Sequence, residues 1–174
     1  AGINVFQALA FRRGWLTYSI VARADAVTSA RKLIKAGDVL VSTVRPNRGA
    51  ITVVPDVLDG AASTTALAVV RAYDLENAYF IALVLRHPVS TTQLVRWNTG
   101  STYPTIREEN ILNVWIPAVD EGIRRSLAQR ERRRQHLLRR AVSLVDEAKT
   151  DVDVLIEGML DTKAILSGKL KPPT

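Results

Sequence analysis

The chain has 174 residues, 47% of them hydrophobic and 24% charged, which suits one domain able to bury a core, plus an appendage. No apolar run approaches the roughly 18 residues a membrane span needs, and with no cysteine, disulfides and thiolate metal sites are excluded. The net charge is +7: residues 121–140 hold eight arginines against two glutamates, while the other 154 residues carry 16 basic and 15 acidic side chains. Basicity confined to one segment suits a polyanion such as nucleic acid, or a solvated helix face.

Near the N-terminus, Arg12 and Arg13 interrupt the apolar stretch in the wrong order for a signal peptide. The absence of cysteine makes a reducing, cytoplasmic setting the expectation. The only methionine is Met159, so a chain beginning at Ala1 is expected to be trimmed or to be a piece of something longer.

The pattern is weak before Arg31, where one strand is expected around residues 16–22. "VLVSTV" (39–44) and "AITVVP" (50–55) read as strands flanking the turn "RPNRG", whose Pro46, Asn47 and Gly49 are turn formers. Residues 63–73 read as a further strand. "ENAYFIALVLR" (76–86), apolar on every face and ending before Pro88, reads as a buried helix. A short helix over "TTQLVRW" (91–97) follows. "ILNVWIP" (111–117) reads as a last strand stopped by Pro117.

From Asp120 to about Leu166 there is no proline, and Asp120 is a good N-cap. Leu138, Ala141, Val145, Ala148, Val152, Leu155 and Met159 recur in alternate steps of three and four, the seam of a coiled coil. Forty residues of helix span about 60 Å, far more than the ~14 Å radius of gyration of a compact head of this size. The rod should project, with its stripe covered by a second helix. A hairpin folded back on itself, broken near 151–153, is the alternative. The fold class is α+β: a compact sheet-and-helix domain over residues 1–118, a long coiled-coil-type helix over 119–167 and a flexible tail over 168–174.

Catalytic constellations are thin. His87 precedes a proline and His136 sits among arginines, and both read as solvated rather than catalytic. Neither lies in a metal-ligand spacing, and no glycine-rich phosphate loop is present. The Asn/Asp-Pro-Pro-aromatic loop with which amino-methyltransferases hold a flipped adenine is missing. Pro55-Asp56 with Glu147-Ala148-Lys149 has the residue types of a nuclease, but the latter falls in the helical seam. These features argue for a binding protein without a metal or cofactor of its own.

The remaining elements suit DNA. The turn places Arg45, Asn47 and Arg48 at a hairpin tip; Arg can pair with guanine O6/N7 and Asn with adenine N6/N7, and either can hold phosphate. "WNTGSTYP" adds Asn98, Thr99, Ser101, Thr102 and Tyr103, and Gly100 permits close backbone approach. Arg107 follows on the same side. Trp97 is expected to pack against the start of the helix, which is also the alternative for Tyr103, and solvated turn residues are the alternative for Arg45 and Arg48. The DNA reading requires the tip and the loop to lie exposed on one side of the head.

"LIKAGDVLVSTVRPNRGAITVV", "ASTTALAVVRAYDLENAYFIALVL" and "WNTGSTYPTIREENILNVWIP", followed by a long helix, strongly resemble a target-recognition domain of the specificity subunits of type I restriction-modification systems. The K-x-G-D-[VI]-L segment, the V-R-P-N turn, the Tyr-Phe helix and the G-S-T-x-P-x-I loop occur in the family's order over residues 31–117. The resemblance implies a subunit without catalysis of its own, reading half of a split double-stranded DNA site in the major groove. It implies spacer helices that pair antiparallel, and methyltransferase subunits that supply S-adenosylmethionine and modify an adenine. It further implies restriction subunits that can join them. Three departures stand out. The usual P-P-x-x-E-Q start of the spacer reads Pro117-Ala118-Val119-Asp120-Glu121-Gly122 here. Only one recognition domain and one spacer are present, as in one half of a larger subunit or in a half-subunit that dimerises. The stretch before Arg31 is short for the family. A structural coiled-coil adaptor, and the recognition region of a fused restriction-methylation enzyme, are the competing readings.

Overall fold

The computed structural model describes residues 5–12, 15–21, 30–99 and 103–157, with side chains from Lys32 onward. Two compact units are present, residues 1–132 and residues 133–174.

In the first unit, β1 (Val5–Arg12), β2 (Trp15–Val21), β3 (Ala30–Leu33) and β6 (Ala62–Thr64) form a four-stranded sheet in the order β2-β1-β6-β3. β1 pairs antiparallel with β2 from Val5↔Val21 to Arg12↔Trp15, and runs parallel to β6 at Val5↔Ala62. The strand expected around 16–22 is β2; β1 was not legible. β4 (Val39–Ser42), β5 (Ile51–Val53) and β7 (Leu67–Val70) make a second, three-stranded antiparallel sheet in the order β5-β4-β7.

Central strand β4 is buried along its whole length. Its side chains alternate between two cores, as a two-residue period requires. Val39 and Val41 join Ile51, Val53 and Ala68 against the helices. Leu40 joins Ile34, Val54, Leu58, Ala61 and Leu67 on the other side. Covering both faces explains why the strand reads as an unbroken apolar run.

Residues 63–73 are not one strand. β6 ends at Thr64, a turn at Thr65 and Ala66 intervenes, and β7 begins at Leu67 in the other sheet. The turn is fixed by tertiary bonds: the Ala66 carbonyl accepts from the Thr43 N–H at 2.9 Å and from Thr43 Oγ1 at 3.0 Å.

α1 (Leu75–Arg86) starts where Asp74 accepts from the Asn77 N–H at 2.7 Å, and it sinks Ala78, Tyr79, Phe80, Ala82 and Leu85 into the core. α2 (Pro88–Val95) begins three residues earlier than its apolar pattern suggests, with Pro88 in the first turn, where its missing N–H costs nothing. The expected strand over 111–117 is a correction. Residues 108–112 are a one-turn helix, α3 (Glu108–Leu112), and 115–120 are irregular. The Asn110 side chain accepts from the Arg107 N–H at 2.8 Å, and Glu108 and Glu109 favour the positive helix start. Ile111 and Val114 then reach the core at a helical interval, leaving Trp115 85% exposed.

α4 (Glu121–Ile156) is one 36-residue helix. Asp120 caps it, accepting from the Gly122 N–H at 2.7 Å. Leu127 and Ala128 belong to the helix-side core of the first unit. The expected alternative of a hairpin broken near 151–153 is overturned, because the helix passes unbroken through those residues. Leu138 is half-buried, and Ala141, Val145, Ala148, Val152 and Leu155 are exposed. Met159, the helical turns expected after residue 157 and the tail over 168–174 lie outside the described residues. The fold class is α+β, and among the described residues no helix is long and apolar enough to cross a membrane.

Candidate nucleic-acid interface

The two ends of β4 do different work. At its start, the "KAGD" turn folds Asp38 inward with its side chain 2% exposed. Its carboxylate accepts from the Lys35 N–H at 2.8 Å and from Arg71 Nε and Nη2 at 2.7 and 2.8 Å. Burial pushes the Asp38 carboxyl up, but the Arg71 bond, the Lys35 amide and both nearby positive charges outweigh it and hold the group below its ordinary value. The same contact raises the Arg71 guanidinium. This end is a structural lock, and Gly37, at φ +85°, makes its turn.

The other end carries the tip. Residues 46–48 form a single 3-10 turn, closed by Arg48 N–H to Arg45 O at 2.9 Å and Gly49 N–H to Pro46 O at 3.1 Å. Pro46 and Gly49 are buried, Arg45 is half-buried, and Asn47 and Arg48 are exposed. Arg45 is left-handed, at φ 52° and ψ 59°, a conformation that costs an L side chain about 1 kcal/mol.

The "WNTGSTYP" loop is joined to this tip by backbone bonds. Arg45 N–H donates to Pro104 O at 2.7 Å, and Ile106 N–H donates to Thr43 O at 2.9 Å. Val44 bridges Thr105, which in turn bridges Thr99 through reciprocal bonds of 2.9 and 3.1 Å. Buried Ile106 and half-buried Trp97 root the loop in the core. Tyr103, 63% exposed, lies under the Arg45 guanidinium, 5.1 Å from its ring centroid.

Of the expected site residues, the structure thus brings Arg45, Tyr103 and Thr99 into one bonded strip, with Asn47 and Arg48 on the adjoining turn. Arg107 is exposed one residue beyond the Ile106–Thr43 bond. Asn98 is half-buried, and its Oδ1 is enclosed without a hydrogen-bond partner. Ser101 and Thr102 lie outside the described residues. Sequence reasoning missed Pro104 and Thr105, which make the joint; their only signal was a β-branched residue beside a proline.

Gly49 also explains how the tip sits on the helices. Its Cα packs so closely that a Cβ there would meet Arg86 Cγ at 3.3 Å. Arg86, ending α1, pairs with Glu131 of α4 at 2.7 Å. The basic segment is partly matched internally. Arg124 and Arg125 reach Glu76 at 3.7 and 3.3 Å, Arg125 reaches Glu121 at 2.6 Å, and Arg140 reaches Glu147 at 3.5 Å. Arg130, Arg132 and Arg133 are exposed. Among the described residues, no cluster of His, Cys, Asp and Glu could hold a metal ion.

No protein-family model matches the sequence, and neither does any curated protein. Solved structures do. The HsdS subunit from Thermoanaerobacter tengcongensis superposes with a TM-score of 0.63 at 24% identity, over 91% of this chain and 42% of its own. A chain from work on complex assembly and conformational transition of the type I R-M system superposes with a TM-score of 0.64 at 27% identity, with the same coverage. The present chain has this fold over nearly its whole length and spans about two-fifths of the length of either match.

Proposed function

We propose that this chain, with the fold of a type I restriction-modification specificity subunit, is a sequence-specific DNA-recognition module. The observation that carries the reading is the Arg45–Pro104 bond with its Val44–Thr105 bridge, which joins the hairpin tip and the polar loop into one half-buried strip flanked by exposed Asn47, Arg48, Thr99 and Tyr103. Arg45, Asn47 and Arg48 supply donors matched to purine edges in the major groove. Thr99, Tyr103 and Arg107, with Asn98, Ser101 and Thr102 from the same loop, supply hydroxyl, amide and cationic groups for phosphate and base contacts.

The module does no chemistry itself. It directs methyltransferase subunits, which bring S-adenosylmethionine, to half of a split site in cytoplasmic DNA, with restriction subunits as further partners. A head over residues 1–118 reads the bases. The helix that follows it in sequence is the spacer and pairs through Leu138, Ala141, Val145, Ala148, Val152, Leu155 and Met159 with a second such helix, in another copy or in the same longer subunit. Two matches of this size fit within the length of either similar structure, which supports a paired arrangement.

Selection from randomised duplexes tests the reading. A defined site should be enriched, and its affinity should fall with salt at a slope near −0.9 per phosphate contact. Enrichment of no site, with or without an added methyltransferase subunit, would leave the adaptor reading in its place.

A further inference from the structure

Among the described residues, Arg45 is the one non-glycine residue with left-handed backbone. Glycine would take that conformation without strain. Arginine is held there by three contacts: its N–H on Pro104 O at 2.7 Å, its carbonyl accepting from Arg48 N–H at 2.9 Å, and its guanidinium over the Tyr103 ring at 5.1 Å. The backbone is thereby pinned, and the guanidinium rests on an aromatic ring.

A phosphate contact asks for little of this. Charge alone serves, and a long, freely moving side chain delivers it. A bidentate contact to a base edge asks for more, because both donors must lie in the plane of the base at the right depth. Strained backbone and an aromatic support are unneeded for the first task and suited to the second.

Resting on the DNA-recognition reading above, we propose that Arg45 is the residue that reads a guanine, through O6 and N7 in the major groove, and that Tyr103 is its positioning residue. Tyr103 acts through its ring rather than its hydroxyl.

The test uses the full chain and randomised duplexes, with thermal unfolding measured in parallel. The wild type should enrich guanine at a defined position. Arg45→Lys keeps the charge and should lose preference at that position by roughly 5- to 100-fold, leaving the other positions intact. Tyr103→Ala should weaken the same position, and Tyr103→Phe should keep it. Arg45→Gly should lose the preference yet unfold at a higher temperature than the wild type, which shows that the fold survives and the strain is real.

Retention of the guanine in Arg45→Lys, or a loss of affinity spread evenly over all sequences, overturns the assignment and makes Arg45 a phosphate anchor. A lower unfolding temperature for Arg45→Gly overturns the strain argument with it. A wild-type chain that enriches nothing overturns the recognition reading as well; a wild-type site indifferent to every Arg45 variant overturns this inference alone.

Discussion

Arg86 Nη2 and Glu131 Oε2 lie 2.7 Å apart, with the glutamate side chain fully buried and the arginine 14% exposed. The pair ties the end of α1, on which the hairpin tip rests, to the fourth helix. Removing either charge strands the other in a medium that cannot solvate it, which costs about 3–5 kcal/mol. Glu131→Leu should therefore lower stability by about that much in urea denaturation. Arg86→Met with Glu131→Leu should recover most of it, since two apolar side chains leave no orphan charge. A single variant within about 1 kcal/mol of the wild type would show that water reaches the pair.

The fit of the tip on that arginine gives a second test. Gly49 and Gly60 both have left-handed backbone, at φ +59° and +74°. Only at Gly49 would a Cβ press on a neighbour, Arg86 Cγ at 3.3 Å, whereas nothing lies within 4 Å of a Cβ at Gly60. Gly60→Ala should cost about 1 kcal/mol for the backbone alone. Gly49→Ala should cost about 2 kcal/mol or more, because Arg86 must also shift and strain its ion pair. Equal denaturation midpoints for the two variants would mean that the contact is slack.

How much of this was legible in advance follows from what each signal depends on. The β4–β5 hairpin, the buried helix α1 and the Asp120 cap were readable because local pattern and turn chemistry decide them. The break at Thr65 and Ala66 was not, because no glycine or proline marks it and the bonds that make it come from Thr43, just past β4 and 23 residues away. Residues 111–117 misled for a related reason. Their β-branched and aromatic content suggested a strand, but the Asn110 cap and the inward turn of Ile111 and Val114 decide for helix. At the candidate interface, the residue types at tip and loop were visible. Their junction through Pro104 and Thr105, and the strain at Arg45, were not, because backbone pairing across some sixty residues of chain leaves no local trace.

The Asp38 lock gives the fold a defined acid weakness. Its carboxyl is held below the ordinary value, so the folded state binds its proton less readily than the unfolded chain does. Its contribution is fully present above the unfolded value near 3.8 and is lost as pH falls through the lower, folded value. Unfolding midpoints measured from pH 6 downward should drop more steeply below about pH 4 in the wild type than in Asp38→Asn. Near neutral pH the variant should already be less stable, since the amide cannot accept two charge-assisted bonds from Arg71. Parallel curves for the two proteins would place the acid-labile group elsewhere.

On the proposed reading, the stripe on α4 is the surface through which two such helices pair. Val145, Val152 and Leu155 are 55%, 52% and 42% exposed, an apolar line that water alone does not stabilise on a free helix. If a second helix covers it through heptad packing, an aspartate at Val145 or Val152 puts an unpaired charge at the centre of the seam. The double variant Val145→Asp, Val152→Asp should then sediment as a monomer where the wild type sediments as a dimer, across micromolar concentrations. The head should be untouched, since neither residue belongs to its cores, and its thermal transition should persist. Enrichment of a split site should contract to a single half-site in the variant, because the spacing between two reading heads is lost while each strip of side chains remains. A variant that stays dimeric would locate the contact between copies on another face, and one that loses half-site selection too would tie base reading to the helix itself.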